Sequence, residues 1–160
     1  MAFDAFLQFE PKLAGEATAK GFEGAIEILS FSFGASNSTN PIGGGSGSGK
    51  AILHDFSVMK KTDIASCTFF NKCCAGQHFD KAKVSFRKAG GEQVIYLTYE
   101  FEKVFVTSIQ WSGSTGGDDV PTESASFAYK KVTITYNSQT DAGEAAGPQV
   151  GTWDQAKVSA

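Results

Sequence analysis

Gly34-Ala-Ser-Asn-Ser-Thr-Asn-Pro-Ile-Gly-Gly-Gly-Ser-Gly-Ser-Gly-Lys50 is the stretch on which the fold class turns. Its tail, Gly44-x-x-x-x-Gly49-Lys50, has the outline of a phosphate-binding loop, which would make the chain an α/β nucleotide-binding protein. Such a loop needs a strand directly before it, a Ser or Thr after the lysine to hold Mg²⁺, and a helix whose N-terminus faces the phosphates. Ala51 stands where the hydroxyl is required, and the preceding apolar run already ends at Phe33. The next segment, Ile52-Leu-His-Asp-Phe-Ser-Val58, reads as strand. The stretch is therefore a Gly/Ser-rich loop at about 35–50 joining two strands, and the chain leaves the nucleotide-binding class.

Outward from the loop the pattern stays β. Phe3, Ala5, Leu7 and Phe9 alternate with Asp4 and Gln8, predicting a first strand with one buried face. Residues 11–23 read as a polar connection. In 25–33 the phase slips midway: Ile26 and Ile28 share one face, Leu29, Phe31 and Phe33 the other, which predicts a bulge or a strand covered on both sides. Ala82, Val84 and Phe86 alternate within 81–88, and 89–92 is a tight turn. A long β stretch, 93–111, is apolar on both faces over 94–101, as in a centrally enclosed strand. Residues 113–122 form a second polar loop, 125–136 the last main strand, and the rest from Asn137 a Gly/Ala-rich tail ending near Trp153-Asp154.

One helix is expected, near residues 63–75. Thr62 or Asp63 serves as its N-cap, Ile64, Cys67, Phe70 and Cys74 make its apolar stripe, and Gly76 stops it. About eight strands with one helix give a mainly β class: a β-barrel of two packed antiparallel sheets, or a sandwich, with the helix on one side. Residues 1–160 are expected to form a single domain. Phe (14) and Gly (18) are abundant, which suits pleated surfaces and their turns.

Net charge is −3, and the densest basic group, Lys81, Lys83, Arg87 and Lys88, alternates along a strand. That excludes a nucleic-acid footprint, and no apolar run is long enough to span a bilayer. The N-terminus has neither a basic region nor an unbroken apolar core, so synthesis in the cytoplasm without a cleavable signal is expected.

Catalytic and metal-binding chemistry finds little material. His54 and Asp55 point to opposite faces of a strand, and His78 and Asp80 share a face without a nucleophile in a recognisable elbow. Cys67, Cys74 and His78 have helical spacing for a zinc site but lack a fourth ligand. Small buried hydrophobes are the preferred reading of the cysteines. Asp118-Asp119 lies in a Gly-rich loop without EF-hand spacing. No catalytic residue, metal or cofactor is assigned. Two alternative classes remain: a small β-sandwich module binding glycans through Trp111 and Trp153, with Ca²⁺ at Asp118-Asp119, and, behind it, a hydrolase using His78 or His54.

Several segments, taken in order, carry a family resemblance. They are Asp4-Ala-Phe-Leu-Gln-Phe9, Gly24-Ala-Ile-Glu-Ile-Leu-Ser-Phe-Ser-Phe-Gly34, the Gly-rich loop, Gln77-His-Phe-Asp-Lys-Ala82, Arg87-Lys-Ala-Gly-Gly91 and Thr122-Glu123. Together they resemble the Hcp family, the haemolysin-coregulated proteins of bacterial type VI secretion. Phe31 and Phe33 stand where many members carry Trp, which keeps the aromatic packing. The resemblance implies a β-barrel with a flanking helix that assembles into six-membered rings. It further implies stacking into a tube that a contractile sheath expels with a spike protein at its tip. Effector proteins travel in the hollow centre, and the subunit itself is secreted. Within that picture Ser36, Asn37, Asn40, Gly43, Gly44, Gly45, Gly47, Gly49 and Lys50 are expected to reach onto a neighbouring subunit or ring.

Overall fold

The computed structural model describes residues 3–39, 41–42, 49–89, 94–117, 119–139 and 145–160. Ten strands and one helix run in order along the chain: β1 (Phe3–Glu10), β2 (Ile26–Ile28), β3 (Ser30–Ser32), β4 (Ala35–Asn37), β5 (Ala51–Leu53), β6 (Phe56–Lys61), α1 (Ser66–Ala75), β7 (His78–Lys88), β8 (Ile95–Ser112), β9 (Thr122–Gln139) and β10 (Ala145–Asp154). The mainly β class with one short helix is as the sequence implies.

Eight of the strands form one antiparallel sheet in the order β2-β1-β7-β8-β9-β6-β3, with β10 pairing the far half of β9. The two ends of that path, β2 and β3, are consecutive in the chain, so the sheet curls back on itself into a barrel. Leu29 is the hinge between them. It donates its N–H to Met59 O at 2.8 Å, and its side chain is 51% exposed. With Leu29 turned outward, Ile26 and Ile28 on one side of it and Phe31 and Phe33 on the other all pack into the same core. The phase slip in the sequence is thus a bulge at the barrel's seam, and it gives two faces of one segment a common interior.

Aromatic rings fill that interior. Phe31, Phe33, Phe56, Tyr99, Phe101 and Tyr129 touch mostly in tilted and edge-on pairs, such as Phe101–Tyr129 at 4.7 Å between centroids and Phe56–Phe101 at 5.0 Å, with Phe31 stacked on Phe56. Edge-on packing is the electrostatically preferred contact of such rings. The Tyr129 hydroxyl donates to His54 O at 2.8 Å, and burial, then Asp55 nearby, hold its pKa far above the usual phenol value. The long strands turn a corner together. Asp80-Lys81, Glu102-Lys103 and Lys130-Lys131 are adjacent outward pairs at one register, and Lys103 takes φ 53° there.

Three sequence expectations are corrected outside the barrel core. Residues 11–25 are a packed strap, not a free polar connection. Phe22 stacks on Phe6 at 4.5 Å, and the Arg87 guanidinium lies over both rings while donating to Asp4 and to Lys20 O. On the outward face of β1 the strap thereby buries Phe6, while Gln8 and Glu10 stay exposed. The stretch 94–101 is only half-covered, with Ile95 exposed and Tyr96, Leu97 and Tyr99 intermediate. The presumed tail contains β10, an edge strand that tolerates Pro148 and closes on Asp154, whose carboxylate accepts the N–H groups of Lys157 and Ala156.

The helix also differs. α1 begins at Ser66 after a turn in which Asp63, one of the two expected caps, accepts the Ala65 N–H at 2.9 Å. It stops at Gly76, whose left-handed φ of 66° suits glycine. The expected stripe points the wrong way: Ile64 is 59% and Phe70 48% exposed, and Cys67 and Cys74 are exposed. Phe69, 0% exposed, is the anchor, set edge-on against Phe9 and Phe127. Only Cys73 packs against the core, so the reading of the cysteines as buried hydrophobes fails for two of three. Under the helix N-terminus lies a buried ion cluster. Lys60 Nζ meets Glu123 Oε1, Asp63 Oδ1 at 2.7 Å and Ser66 Oγ at 3.2 Å, and Ser66 Oγ donates to Glu123 at 2.9 Å. This polar knot takes the place of apolar packing at one end of the helix and ties it to β6 and β9.

Candidate assembly surfaces

The two flanks of the Gly/Ser stretch form a ribbon of their own. β4 and β5 pair as Ala35↔Leu53, Ser36↔Ile52 and Asn37↔Ala51, separate from the main sheet. Every residue of β4 is exposed, as is Ile52. Gly49 sits against Asn37 and Ser38 so closely that a Cβ would come within 2.6 Å of both, so only glycine fits. Thr39 caps the same turn by donating to Asn37 Oδ1 at 2.5 Å. His54 fixes the ribbon's base, its N–H bonding Gly34 O at 2.9 Å and its ring within 3.4 Å of Ser36 Oγ. Ser36, Asn37, Gly49 and Lys50 are thus brought together on this projection. Asn40, Gly43, Gly44, Gly45 and Gly47 lie outside the described residues. Lys50 leads into strand β5 and not into a helix, which removes the phosphate-loop reading.

A second surface went unread in the sequence. β3, β6, the first half of β9 and the second half of β8 lie side by side, and their outward positions are mostly small hydroxyls, interrupted by Met59, Lys61 and Gln110. One row reads Ser32↔Ser57↔Ser126↔Ser108, the next Ser30↔Met59↔Ser124↔Gln110. Ser57 and Ser126 hydrogen-bond to each other at 2.8 Å. The signal was present as serines two apart at 30/32 and 124/126, but hydroxyls at outward strand positions are too ordinary to stand out. Neither end of this patch pairs with a further strand among the described residues, although α1 packs against β8 with Phe70 on Trp111. Among the described residues, β8 beyond Val106 pairs with β9 alone, and β3 pairs with β6 alone. An open strand edge presents unpaired N–H and C=O groups, a ready template for another chain.

The remaining sequence candidates do not converge. Asp55 accepts a hydrogen bond from Thr107 at 2.7 Å, while His54 serves the ribbon. His78 Nε2 lies 3.9 Å from Asp80 Oδ1 on the solvent side of β7 and leans on Phe105. Trp111 packs on Phe70 opposite Glu123, whereas Trp153 pairs with Val132 against the core. Nine positions of β9 separate those partners, on the order of 30 Å along a strand, so the two indoles form no common sugar platform. Asp118 lies outside the described residues. Among the described residues, no three His, Cys, Asp or Glu side chains gather as a metal site. Among the described residues, no helix is long and apolar enough to cross a membrane.

Comparison with known proteins places these surfaces in context. The family model of the type VI secretion system effector Hcp matches residues 6–136. Protein hcp1 of Pseudomonas aeruginosa is 35% identical over 107 residues, 66% of this chain and 65% of that protein, so the match spans just under two thirds of the relative. A solved type six secretion system protein superposes with a TM-score of 0.91 at 34% identity, covering 98% of each chain. Hcp1 from Salmonella typhimurium does so with a TM-score of 0.78 at 25% identity, over 99% of this chain and 98% of that one. A type VI secretion system effector from Yersinia pestis, 23% identical, shares the fold with a TM-score of 0.77 over 94% of this chain and 99% of its own.

Proposed function

Since this chain belongs to the Hcp family of type VI secretion proteins, we propose that it is a structural subunit of the secretion tube. Six copies close into a ring, rings stack, and the tube is exported with effector proteins in its lumen. The observation that carries this reading is the hydroxyl-faced sheet with an open edge at each end. An open β8 edge on one copy and an open β3 edge on the next suit a head-to-tail contact, which closes by rotation where the angle allows.

Four strands from each of six copies would make a continuous wall. At about 4.8 Å per strand its circumference is roughly 115 Å, or about 37 Å across between backbones. That bore admits an unfolded segment or a small folded domain. A wall made mostly of serine hydroxyls, with Met59 and Lys61 as its exceptions, presents little apolar area and little charge, so it holds a passing chain weakly. The β4–β5 ribbon, exposed on all sides of β4, is the contact between rings, with Ser36, Asn37, Asn40, Gly43, Gly44, Gly45, Gly47, Gly49 and Lys50 on the neighbouring copy. Ordering so much glycine costs entropy, which burial at the ring junction offsets. The sheath and the spike protein are the partners such a tube requires.

Deleting residues 40–49 tests the division of labour. Negative-stain electron microscopy should show single rings that no longer stack into tubes. Tubes of undiminished length after the deletion would remove the ribbon from the inter-ring contact.

A further inference from the structure

The barrel's other outward face carries a row of charge whose sign alternates strand by strand. Glu10 on β1 lies opposite Lys81 on β7, Lys81 opposite Glu102 on β8, and Glu102 opposite Lys131 on β9. A groove of about 670 Å³ passes over these rungs and is walled by Lys12, Leu13 and Glu23 of the strap. Its lining is as much apolar as polar, from Leu13 and the edges of the nearly buried Phe9, Ala82 and Phe101, but these give no order along the groove; the charged rungs do.

The rungs are spaced by the strand separation, about 4.8 Å. Along a helix, residues three or four apart rise by about 4.5–6 Å, which matches rung for rung when the helix axis crosses the strands. An extended partner does not match, since its same-face side chains are nearly 7 Å apart. The internal pairs leave the charges available. Lys131–Glu102 is 3.7 Å and Lys83–Glu100 3.8 Å, both solvent-exposed and loosely held.

We propose that this face is a docking surface for a helical segment of another protein, laid across β1, β7, β8 and β9, whose charged residues alternate in sign at i, i+3 or i+4, and i+7. The inference stands apart from the tube reading, because it uses neither the ribbon nor the open edges.

Two synthetic helical peptides of identical composition test it. One alternates Lys and Glu every fourth position along a single face; the other groups the same residues into a basic block and an acidic block. Fluorescence anisotropy against the full chain at low salt should show the alternating peptide bound at least tenfold tighter, with the preference shrinking as salt rises. The swap Lys81→Glu with Glu102→Lys keeps net charge and keeps opposite charges facing each other between β7 and β8. The row then reads acid, acid, base, base, and the blocked peptide should become the tighter ligand. Circular dichroism verifies the fold of the swapped chain. If that chain does not fold, Glu102→Lys with Lys131→Glu also breaks the alternation and should abolish the wild-type preference. A wild-type chain that binds neither peptide or does not distinguish them overturns the proposal, as does a folded variant with the wild-type preference.

Discussion

Phe69 and Phe70 are adjacent aromatic residues with opposite fates, and the sequence offers no way to choose between them. The stripe Ile64-Cys67-Phe70-Cys74 has good helical periodicity, yet the face seated on the barrel is Ala65 and Phe69, with Cys73. The choice is made by the polar knot at the helix start. Lys60 and Glu123 are buried, and Ser66 must face them, which rotates Phe69 inward and Phe70 out. Phe69→Ala should therefore cost about 3–5 kcal/mol in chemical denaturation, and Phe70→Ala less than about 1 kcal/mol. Equal losses would contradict the assigned face. The knot itself is a buried pair whose partners depend on each other. Lys60→Ala strands Glu123 and Asp63 and should destabilise by about 3–5 kcal/mol. Replacing Lys60 with Met and Glu123 with Leu together should recover much of that loss, since no charge is then stranded. A double variant no more stable than Lys60→Ala would show the pair to be worth more than its desolvation.

At the scale of elements, legibility tracked local pattern. The first strand, the alternating stretch 81–88 and the Gly76 stop all rest on short-range chemistry, and all are present. The slip at Leu29 was visible as a phase change, though only the pairing of β2 with β1 and β3 with β6 reveals it as the barrel's seam. The features that could not be read depend on distant partners. β10 is a strand because β9 is long enough to pair it, despite Gly147 and Pro148. The strap is packed because Arg87, some sixty residues on, covers Phe22. The ribbon was legible as a glycine-rich interruption between strands, but its pairing of residues 35–37 with 51–53 was not. Inserting an alanine after Leu29 provides the element-scale test. One more residue beyond the bulge shifts the two-residue alternation, so Phe31 and Phe33 turn outward, and burial worth about 2 kcal/mol or more per ring is lost. The melting temperature should fall steeply; a chain with near wild-type stability would mean that the seam tolerates either phase.

For the whole molecule, two outward faces of opposite character share one barrel. The serine-rich face is mostly uncharged and ends in strand edges, whereas the face over β1, β7, β8 and β9 is charged and roofed by the strap at one side. A solitary protein has little reason to leave two strand edges open on either side of a hydroxyl sheet. A subunit that meets copies of itself on both sides does. Native mass spectrometry of the purified full-length chain tests that most directly. The result in keeping with tube assembly is a dominant species of six times the 16.9 kDa subunit mass, converting to monomer when the β8 edge is blocked by proline substitution at Gln110. A chain that stays monomeric at high concentration would contradict it.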